Sequence, residues 1–147
     1  GLRFFTVYGP WGRPDMAYYK FSKHIMDNKS IDIYNNGKHS RSFTYVDDVV
    51  HSIYLLYKIY KKEDSFFDIY NIGGGESIKL MNFISIIEKL CNRTACKNIL
   101  PKQIGDVDIT SADCRKVFSR IGYSPDTSIE DGLSNFMDWF KDFYNYD

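Results

Sequence analysis

The opening stretch of the sequence, residues 2–13, constrains the fold more than any other part of the chain. Residues 2–8 are mostly apolar or aromatic and have the length of a strand, which favours a buried strand over a helix. Gly9 and Pro10 then end the strand, because glycine permits unusual backbone angles and proline has no amide proton to donate. The turn that follows carries Arg13, at the kind of strand end where open α/β sheets bind ligands. Its guanidinium suits a carboxylate or a phosphate, although a solvated surface arginine explains the same pattern.

The composition fits one globular domain without a dominant charge. The 147 residues are 44% hydrophobic and 26% charged, which is typical of folded domains and excludes disorder. The 19 basic and 19 acidic side chains cancel, so no overall field attracts nucleic acid or an anionic membrane. No apolar run approaches the roughly 20 residues that span a bilayer. Cys91, Cys96 and Cys114 lack metal-ligand spacing and, without a signal peptide, indicate reduced thiols in a cytoplasmic protein.

Apolar residues recur at helical spacing in four segments, residues 16–26, 49–60, 77–91 and 129–144. Ser77 is predicted to cap the third helix, and Thr127 with Glu130 forms a capping box before the fourth. Asp113 is predicted to cap a further short helix that ends at Gly122. The predicted apolar stripe of the second helix is Val49, Val50, Ile53, Tyr54, Tyr57 and Tyr60.

Short strands are predicted between these helices. Residues 31–34 alternate apolar and polar and run into the Asn-Asn-Gly sequence of residues 35–37, which indicates a hairpin. A second strand begins at Arg41 and leads to Asp47 and Asp48. Paired acids can perform acid–base chemistry or hold a metal, but a helix opens directly behind them. Helix capping by Asp47 is therefore the favoured interpretation.

A third strand, residues 66–72, is followed by three glycines that invite comparison with a dinucleotide-binding turn. The G-x-G-x-x-G pattern starting at Gly73 would require glycine at position 78, where the sequence has Ile78. The glycines are therefore predicted to form an ordinary turn.

The string LRFFTVYGPWGRPDMA, residues 2–17, resembles the entry to the substrate domain of the extended short-chain dehydrogenase/reductase family. Within that family it is most similar to the UDP-glucuronate 4-epimerases and related nucleotide-sugar epimerases. The resemblance continues along nearly the whole chain but covers only the C-terminal part of such an enzyme. It implies an α/β substrate-binding lobe of short strands and helices, without the Rossmann half and its glycine-rich loop. The sequence also begins without Met and directly in a strand, which favours a fragment.

The resemblance assigns substrate contacts to particular residues. It implies that Thr6 and Arg13 meet the carboxylate of a hexuronic acid, for which a hydroxyl and a guanidinium are suitable donors. The backbone at Asp32 and Tyr34 would meet the uracil edge, with the Tyr34 ring available for stacking. Arg41 would contact the diphosphate. The structural alternatives are that Arg41 pairs with a neighbouring acid, at position 47 or 48, and that Asp32 and Tyr34 are ordinary turn residues.

The Gln-x-Gly-Asp loop matches the segment that closes over diphosphate and ribose. By this resemblance Gln103 lies near the diphosphate, and Asp106 can accept hydrogen bonds from both ribose hydroxyls. Two positions depart from the family pattern. Ser42 replaces the usual Asp beside Arg41, and other branches of the family have Arg at the position of Gln103. Both changes indicate a looser grip on the phosphates.

No catalytic or metal-binding residue is assigned in this chain. The Tyr-x-x-x-Lys pair of the family and its glycine-rich turn lie upstream of the opening strand, so Tyr–Lys pairs at that spacing here are attributed to chance. The resemblance implies NAD as the cofactor, bound mainly by the missing N-terminal domain. It also implies a UDP-sugar as ligand, UDP-glucuronate or UDP-galacturonate, and a homodimeric full-length enzyme.

The sequence thus predicts that residues 1–147 are the UDP-sugar-binding part of a UDP-glucuronate 4-epimerase, which acts through a 4-keto intermediate. Such an enzyme would supply precursors for surface polysaccharide. The alternatives are a UDP-hexose epimerase or dehydratase of the same family, and a non-catalytic nucleotide-sugar-binding fragment or remnant. The isolated chain is expected to lack epimerase activity, because half of the active site is missing.

Overall fold

The protein is an α/β structure of five helices and nine short strands within the residues that the computed structural model describes, 1–61, 67–74, 77–103, 105, 107 and 109–146. The helices are α1 (Ala17–Met26), α2 (Val46–Tyr60), α3 (Leu80–Cys91), α4 (Arg115–Ile121) and α5 (Ile129–Tyr144). The strands are β1 (Leu2–Phe4), β2 (Val7–Tyr8), β3 (Ile31–Ile33), β4 (Ser40–Ser42), β5 (Thr44–Tyr45), β6 (Tyr70–Ile72), β7 (Ser77–Lys79), β8 (Lys97–Ile99) and β9 (Ile109–Thr110). No helix in these ranges has the length and apolar character needed to cross a bilayer.

The opening stretch forms two strands instead of the single buried strand that the sequence predicts. β1 pairs in parallel with β6, and β2 pairs in parallel with β5. The chain changes partner between Phe5, whose N–H donates to Ile72 O, and Thr6, whose carbonyl accepts from Thr44 N. β1 is exposed along its whole length, with Phe4 53% accessible. Only the second half of the stretch, around Tyr8, enters the core.

The predicted hairpin at residues 31–37 is wrong. β3 pairs in parallel with β8, while β4 lies between β7, antiparallel, and β9, parallel. Asn35, Asn36 and Gly37 all have left-handed backbone angles, with φ of 52°, 49° and 73°. Asparagine and glycine tolerate this region best, and three such residues in a row turn the chain away from β3.

The core has two parts, and each is built on amphipathic helices. In the larger part α1, α3 and α5 pack together through buried side chains such as Ile25, Phe83 and Phe136, as their periodicity predicts. In the smaller part α2 and α4 cover β6. The predicted stripe of α2 is wrong at Val50, Tyr54 and Tyr57, which are exposed; the buried side of that helix instead consists of Asp48, Val49, Ser52 and Leu56.

Asp48 has a structural role that the sequence does not reveal. Neither Asp47 nor Asp48 caps α2, because the helix begins one residue earlier, at Val46. Asp48 is buried, and its carboxylate accepts hydrogen bonds from Tyr123 Oη at 2.8 Å and Thr127 Oγ1 at 3.0 Å. Burial raises the pKa of Tyr123, and the hydrogen bond and charge of Asp48 raise it further. The carboxylate thereby fastens the segment before α5 to the start of α2.

Two other predicted caps are displaced in the structure. Ser77 lies in β7, and α3 begins three residues later, at Leu80. The capping interaction of α5 is shifted by one residue: Ser128 Oγ accepts from Asp131 N at 3.0 Å, while Thr127 bonds to Asp48. The Ser128 hydroxyl also donates to Asp131 Oδ2 at 2.7 Å, so residues 128 and 131 hold the start of α5 by two hydrogen bonds.

The remaining local predictions are confirmed in part: α4 and its terminal glycine are where the sequence predicts them, but the N-cap residue of α4 is Cys114. Asp113 Oδ1 accepts from Arg115 N at 3.2 Å, one residue outside the N-cap position of α4, and Gly122 ends that helix with φ of 67°. The strand predicted at 66–72 is shorter and begins at Tyr70; residues 62–66 lie outside the described residues. All three thiols are free, with Cys91 and Cys114 buried and Cys96 exposed, and burial raises the pKa of Cys91 to about 11.

Gly132 of α5 lies where a side chain would collide with Tyr8. A Cβ at Gly132 would lie 2.0 Å from Tyr8 Oη, and the Tyr8 ring is 2% exposed. We therefore expect Gly132→Ala to lower the free energy of unfolding by roughly 1–3 kcal/mol, although alanine favours helix formation. Urea unfolding measures the change. Asp138→Ala, on the exposed side of the same helix, is the control and should change stability by less than about 0.5 kcal/mol. A Gly132→Ala protein as stable as the parent would show that Tyr8 can move without cost.

Candidate functional site

Thr6 and Arg13 lie on one cleft of about 520 Å³, beside the turn that follows β2. The turn is tightly packed. Gly9 has φ of 140° and lies so close to Val46 that a Cβ would come within 2.7 Å of Val46 Cγ1. Gly12 faces the hydroxyl of Tyr18, which a Cβ would approach to 1.8 Å. Because Tyr18 belongs to α1, this contact packs the turn against that helix. Its packing fixes the path of the chain that leads to Arg13.

The guanidinium of Arg13 already binds a carboxylate in the structure. Arg13 Nε donates to Asp15 Oδ1 at 3.0 Å, and Arg13 Nη2 donates to Asp15 Oδ2 at 2.5 Å. Both side chains are exposed, at 74% and 59%, so the pair is accessible to a competing anion. Hydrogen bonding by Arg13 lowers the pKa of Asp15, and hydrogen bonding by Asp15 raises the pKa of Arg13. The two groups therefore remain fully ionised at neutral pH.

Asp32 and Tyr34 lie on and directly after β3. Asp32 is exposed, and its Oδ1 accepts from Asn98 Nδ2 of the paired strand at 2.9 Å. Tyr34, half-buried, opens the short 3-10 turn Tyr34–Gly37. The two residues are thus neighbours on an exposed strand end, and the hydrogen bond to Asn98 orients the Asp32 side chain.

Arg41 lies in β4, between β7 and β9, and is half-buried. Its Nη1 donates to Ser40 O at 3.1 Å. Ser42, the residue that replaces the family's usual Asp, is 5% exposed, and its hydroxyl donates to Gly74 O at 2.9 Å. Ser42 therefore anchors the glycine loop after β6.

Gln103 belongs to the loop between β8 and β9. This loop leaves β8, where Leu100 N donates to Ile33 O at 2.9 Å, and it ends in β9, which pairs with Arg41 and its neighbour in β4. Gln103 is exposed on this loop, and Asp106 lies outside the described residues. Along the chain, Gln103 therefore comes after the partner strand of β3, which carries Asp32, and before a partner strand of β4, which carries Arg41.

The structure brings two of the predicted site residues together, and the other described ones, Asp32, Tyr34, Arg41 and Gln103, do not line their cleft. Thr6 and Arg13 share a cleft, and the carbonyl of Thr6 bonds Thr44 N, a short distance along the chain from Arg41. Sequence reasoning missed Asp15, although its spacing from Arg13 could have indicated an ion pair. The structure therefore shows Arg13 paired with a carboxylate in the cleft of Thr6, and a half-buried guanidinium, that of Arg41, in β4.

Known proteins share this arrangement of elements. The model of the NAD dependent epimerase/dehydratase family matches residues 1–73. Protein CapI from Staphylococcus aureus is 44% identical over 158 residues, which cover 98% of this chain and 47% of that protein. The crystal structure of UDP-glucuronic acid 4-epimerase from Bacillus cereus with UDP-glucuronic acid and NAD is 36% identical, with a TM-score of 0.87 over 97% of this chain and 45% of that one. MoeE5 in complex with UDP-glucose and NAD is 32% identical, with a TM-score of 0.87 over 97% of this chain and 47% of that one.

The fold is therefore the α/β fold of the extended short-chain dehydrogenase/reductases, represented by about half of such a structure. The chain belongs to the NAD-dependent epimerase/dehydratase family. It spans about half the length of the curated relatives it matches.

Proposed function

We propose that this chain is the UDP-sugar-binding part of an NAD-dependent UDP-glucuronate 4-epimerase, which interconverts UDP-glucuronate and UDP-galacturonate. The observation that carries the proposal is the cleft shared by Thr6 and Arg13, in which Arg13 holds a carboxylate, that of Asp15, with two hydrogen bonds. A similar protein from Bacillus cereus was solved with UDP-glucuronic acid. The geometry and the likeness support the same ligand.

Recognition of the sugar would depend on its carboxylate. A bidentate guanidinium–carboxylate pair is stronger and more directional than a neutral hydrogen bond, and a threonine hydroxyl beside it can donate one more. In the structure Asp15 uses Nε and Nη2 of Arg13, and a uronate carboxylate would either share the guanidinium through Nη1 or replace Asp15. Because the Arg13–Asp15 pair is exposed, replacing it costs little.

Recognition of the nucleotide would depend on Asp32, Tyr34 and Arg41. The backbone of Asp32 and Tyr34 would hydrogen-bond the uracil edge, and Arg41 would neutralise the diphosphate. Gln103 belongs to the segment between β8 and β9, which would cover the diphosphate and ribose. Asp106, in the same loop, would accept the ribose hydroxyls.

The glycines after β6 do not form a dinucleotide-binding turn. A dinucleotide pyrophosphate needs a glycine-rich turn that leads from a strand into a helix N-terminus. Here Gly73 and Gly74 follow β6, but the next element is the strand β7, and α3 begins only after it. We propose that NAD is bound by a part of a longer protein that this sequence does not include. The isolated chain is accordingly expected to show no epimerase activity.

Calorimetric titration with UDP-glucuronate, UDP-glucose and UDP tests the proposal. We expect the chain to bind UDP-glucuronate at least tenfold more tightly than UDP-glucose, about the effect of one added charge-assisted hydrogen bond. Equal affinity for the two sugars would favour a UDP-hexose epimerase or dehydratase of the same family. Circular dichroism establishes that the titrated chain is folded, and absence of binding by a folded chain would refute the proposal.

Arg41→Ala should weaken the binding of UDP-glucuronate, UDP-glucose and UDP to the same degree. The guanidinium would interact with the diphosphate that they share, so its loss should reduce affinity by roughly 10–100-fold for each ligand. Lys38→Ala, which removes an exposed cation just before β4, is the matched control and should have little effect. Weakening confined to UDP-glucuronate would place Arg41 at the sugar and contradict its assignment to the diphosphate.

A further inference from the structure

Trp11 adopts a backbone conformation that is unusual for its side chain. Its φ is 61°, in the left-handed region that bulky residues rarely occupy, and it is 78% exposed. A non-glycine residue there costs on the order of 1–2 kcal/mol. Such strain persists only where surrounding contacts determine the conformation.

The contacts that hold Trp11 come from α5. Its ring lies 5.3 Å from that of Trp139 and 6.0 Å from that of Phe143, which meets it edge-on. The rings of Trp139 and Phe143 stack on each other at 5.2 Å. Aromatic pairs of this geometry contribute about 0.5–1.5 kcal/mol each beyond the area they bury. Two such pairs are sufficient to offset the strain at Trp11.

Trp11, Trp139 and Phe143 form an aromatic cluster, and its α5 end is rigid. Phe136 and Phe140, on the same helix, are fully buried in the larger core and contact Trp139. Trp11 is therefore attached to an element that is itself fixed. Its own position in the chain lies between Gly9 and Gly12, which are held by close packing, and two residues before Arg13.

We infer that Trp11 is a positioning residue for Arg13: by docking on Trp139 and Phe143 it ties the turn of residues 9–13 to α5. The inference rests on the proposed function, in which Arg13 binds the carboxylate of the sugar. Preference for a uronate then depends on the last helix, which contributes no predicted ligand contact.

Three variants test the inference. Trp11→Gly accepts the left-handed conformation without strain but lacks the ring, and Trp11→Phe keeps an aromatic ring. Phe143→Ala removes an exposed partner on α5 and leaves Trp11 in place. Phe67→Ala is the control, because Phe67 is an 88% exposed aromatic residue outside this cluster. Each protein is the full chain of 147 residues.

Amide hydrogen exchange of residues 9–13 measures the order of the turn without any ligand. We expect Trp11→Gly to speed this exchange by roughly tenfold, Phe143→Ala by less, and Trp11→Phe and the control hardly at all. The sequence has two tryptophans, and the structure places them together. Their excitonic coupling in far-ultraviolet circular dichroism should weaken in Phe143→Ala, which retains both indoles.

Titration then measures the consequence for ligand choice. Trp11→Gly should reduce the preference for UDP-glucuronate over UDP-glucose by roughly tenfold, with Trp11→Phe close to the parent. Unchanged exchange in Trp11→Gly would overturn the inference, as would faster exchange with an unchanged preference; both leave the proposed function intact. A parent chain without preference for the uronate would refute the proposed function, and the exchange comparison alone would then decide whether Trp11 orders the turn.

Discussion

Replacing Asp48 with alanine is expected to lower the free energy of unfolding by roughly 2–4 kcal/mol, because each hydrogen bond to a charged group contributes about 1.5–3 kcal/mol. The side chain is 6% exposed and accepts from the Tyr123 and Thr127 hydroxyls. Thr127 N also donates to it, at 3.4 Å. Alanine would leave these donors partly buried without their acceptor.

Urea unfolding of the parent, Asp48→Ala and Asp48→Asn measures this effect. The asparagine keeps one acceptor oxygen and should lose about half as much stability. Asp47→Ala is the matched control, because Asp47 is the exposed neighbour in the same helical turn. Equal losses for Asp47→Ala and Asp48→Ala would mean that both acids act only through the helix dipole.

Replacing Arg13 with alanine is expected to weaken binding of UDP-glucuronate by roughly 10–100-fold, the size of effect that a charge-assisted bidentate pair allows. UDP-glucose, which has no carboxylate, should change by less than about twofold. Arg13→Lys should give an intermediate loss, because an ammonium group cannot form the two parallel bonds that Arg13 forms with Asp15.

The matched control for this titration is Arg3→Ala. Arg3 is also exposed, but it lies on β1 opposite Asn71 and does not line the cleft of Arg13. Equal weakening of UDP-glucose and UDP-glucuronate by Arg13→Ala would contradict carboxylate recognition. It would indicate that Arg13 binds a group common to both ligands.

The helices of the larger core could be predicted from the sequence, whereas the strand pairings could not. α1, α3 and α5 each bury one side, and the spacing of their apolar residues reports this directly. Strands as short as β3 and β8 contain no pattern that specifies a partner. They are brought together by the packing of α1 on α3, which involves residues far apart in the sequence.

The same contrast applies to single residues. Asp48 precedes a helix as a capping residue would, and only the tertiary structure shows that Tyr123 and Thr127 lie within reach of its carboxylate. By comparison, the resemblance already paired Thr6 with Arg13, and the two residues lie on either side of the two-residue strand β2 and share one cleft. Residues that are close in the sequence can be predicted to lie near each other. A contact between residues that are distant in the sequence becomes apparent only in the folded structure.

The unequal accessibility of the thiols provides a reporter for the strand at which we propose that the uracil binds. Cys91 and Cys114 are buried, so a maleimide dye would react with Cys96 first. The carbonyl of Cys96 accepts a hydrogen bond from Ile31 N at 2.8 Å, directly before Asp32. A single fluorophore could therefore be attached beside β3 without introducing or removing a cysteine, and a change in its emission when UDP is added would test in real time whether a uridine nucleotide binds there.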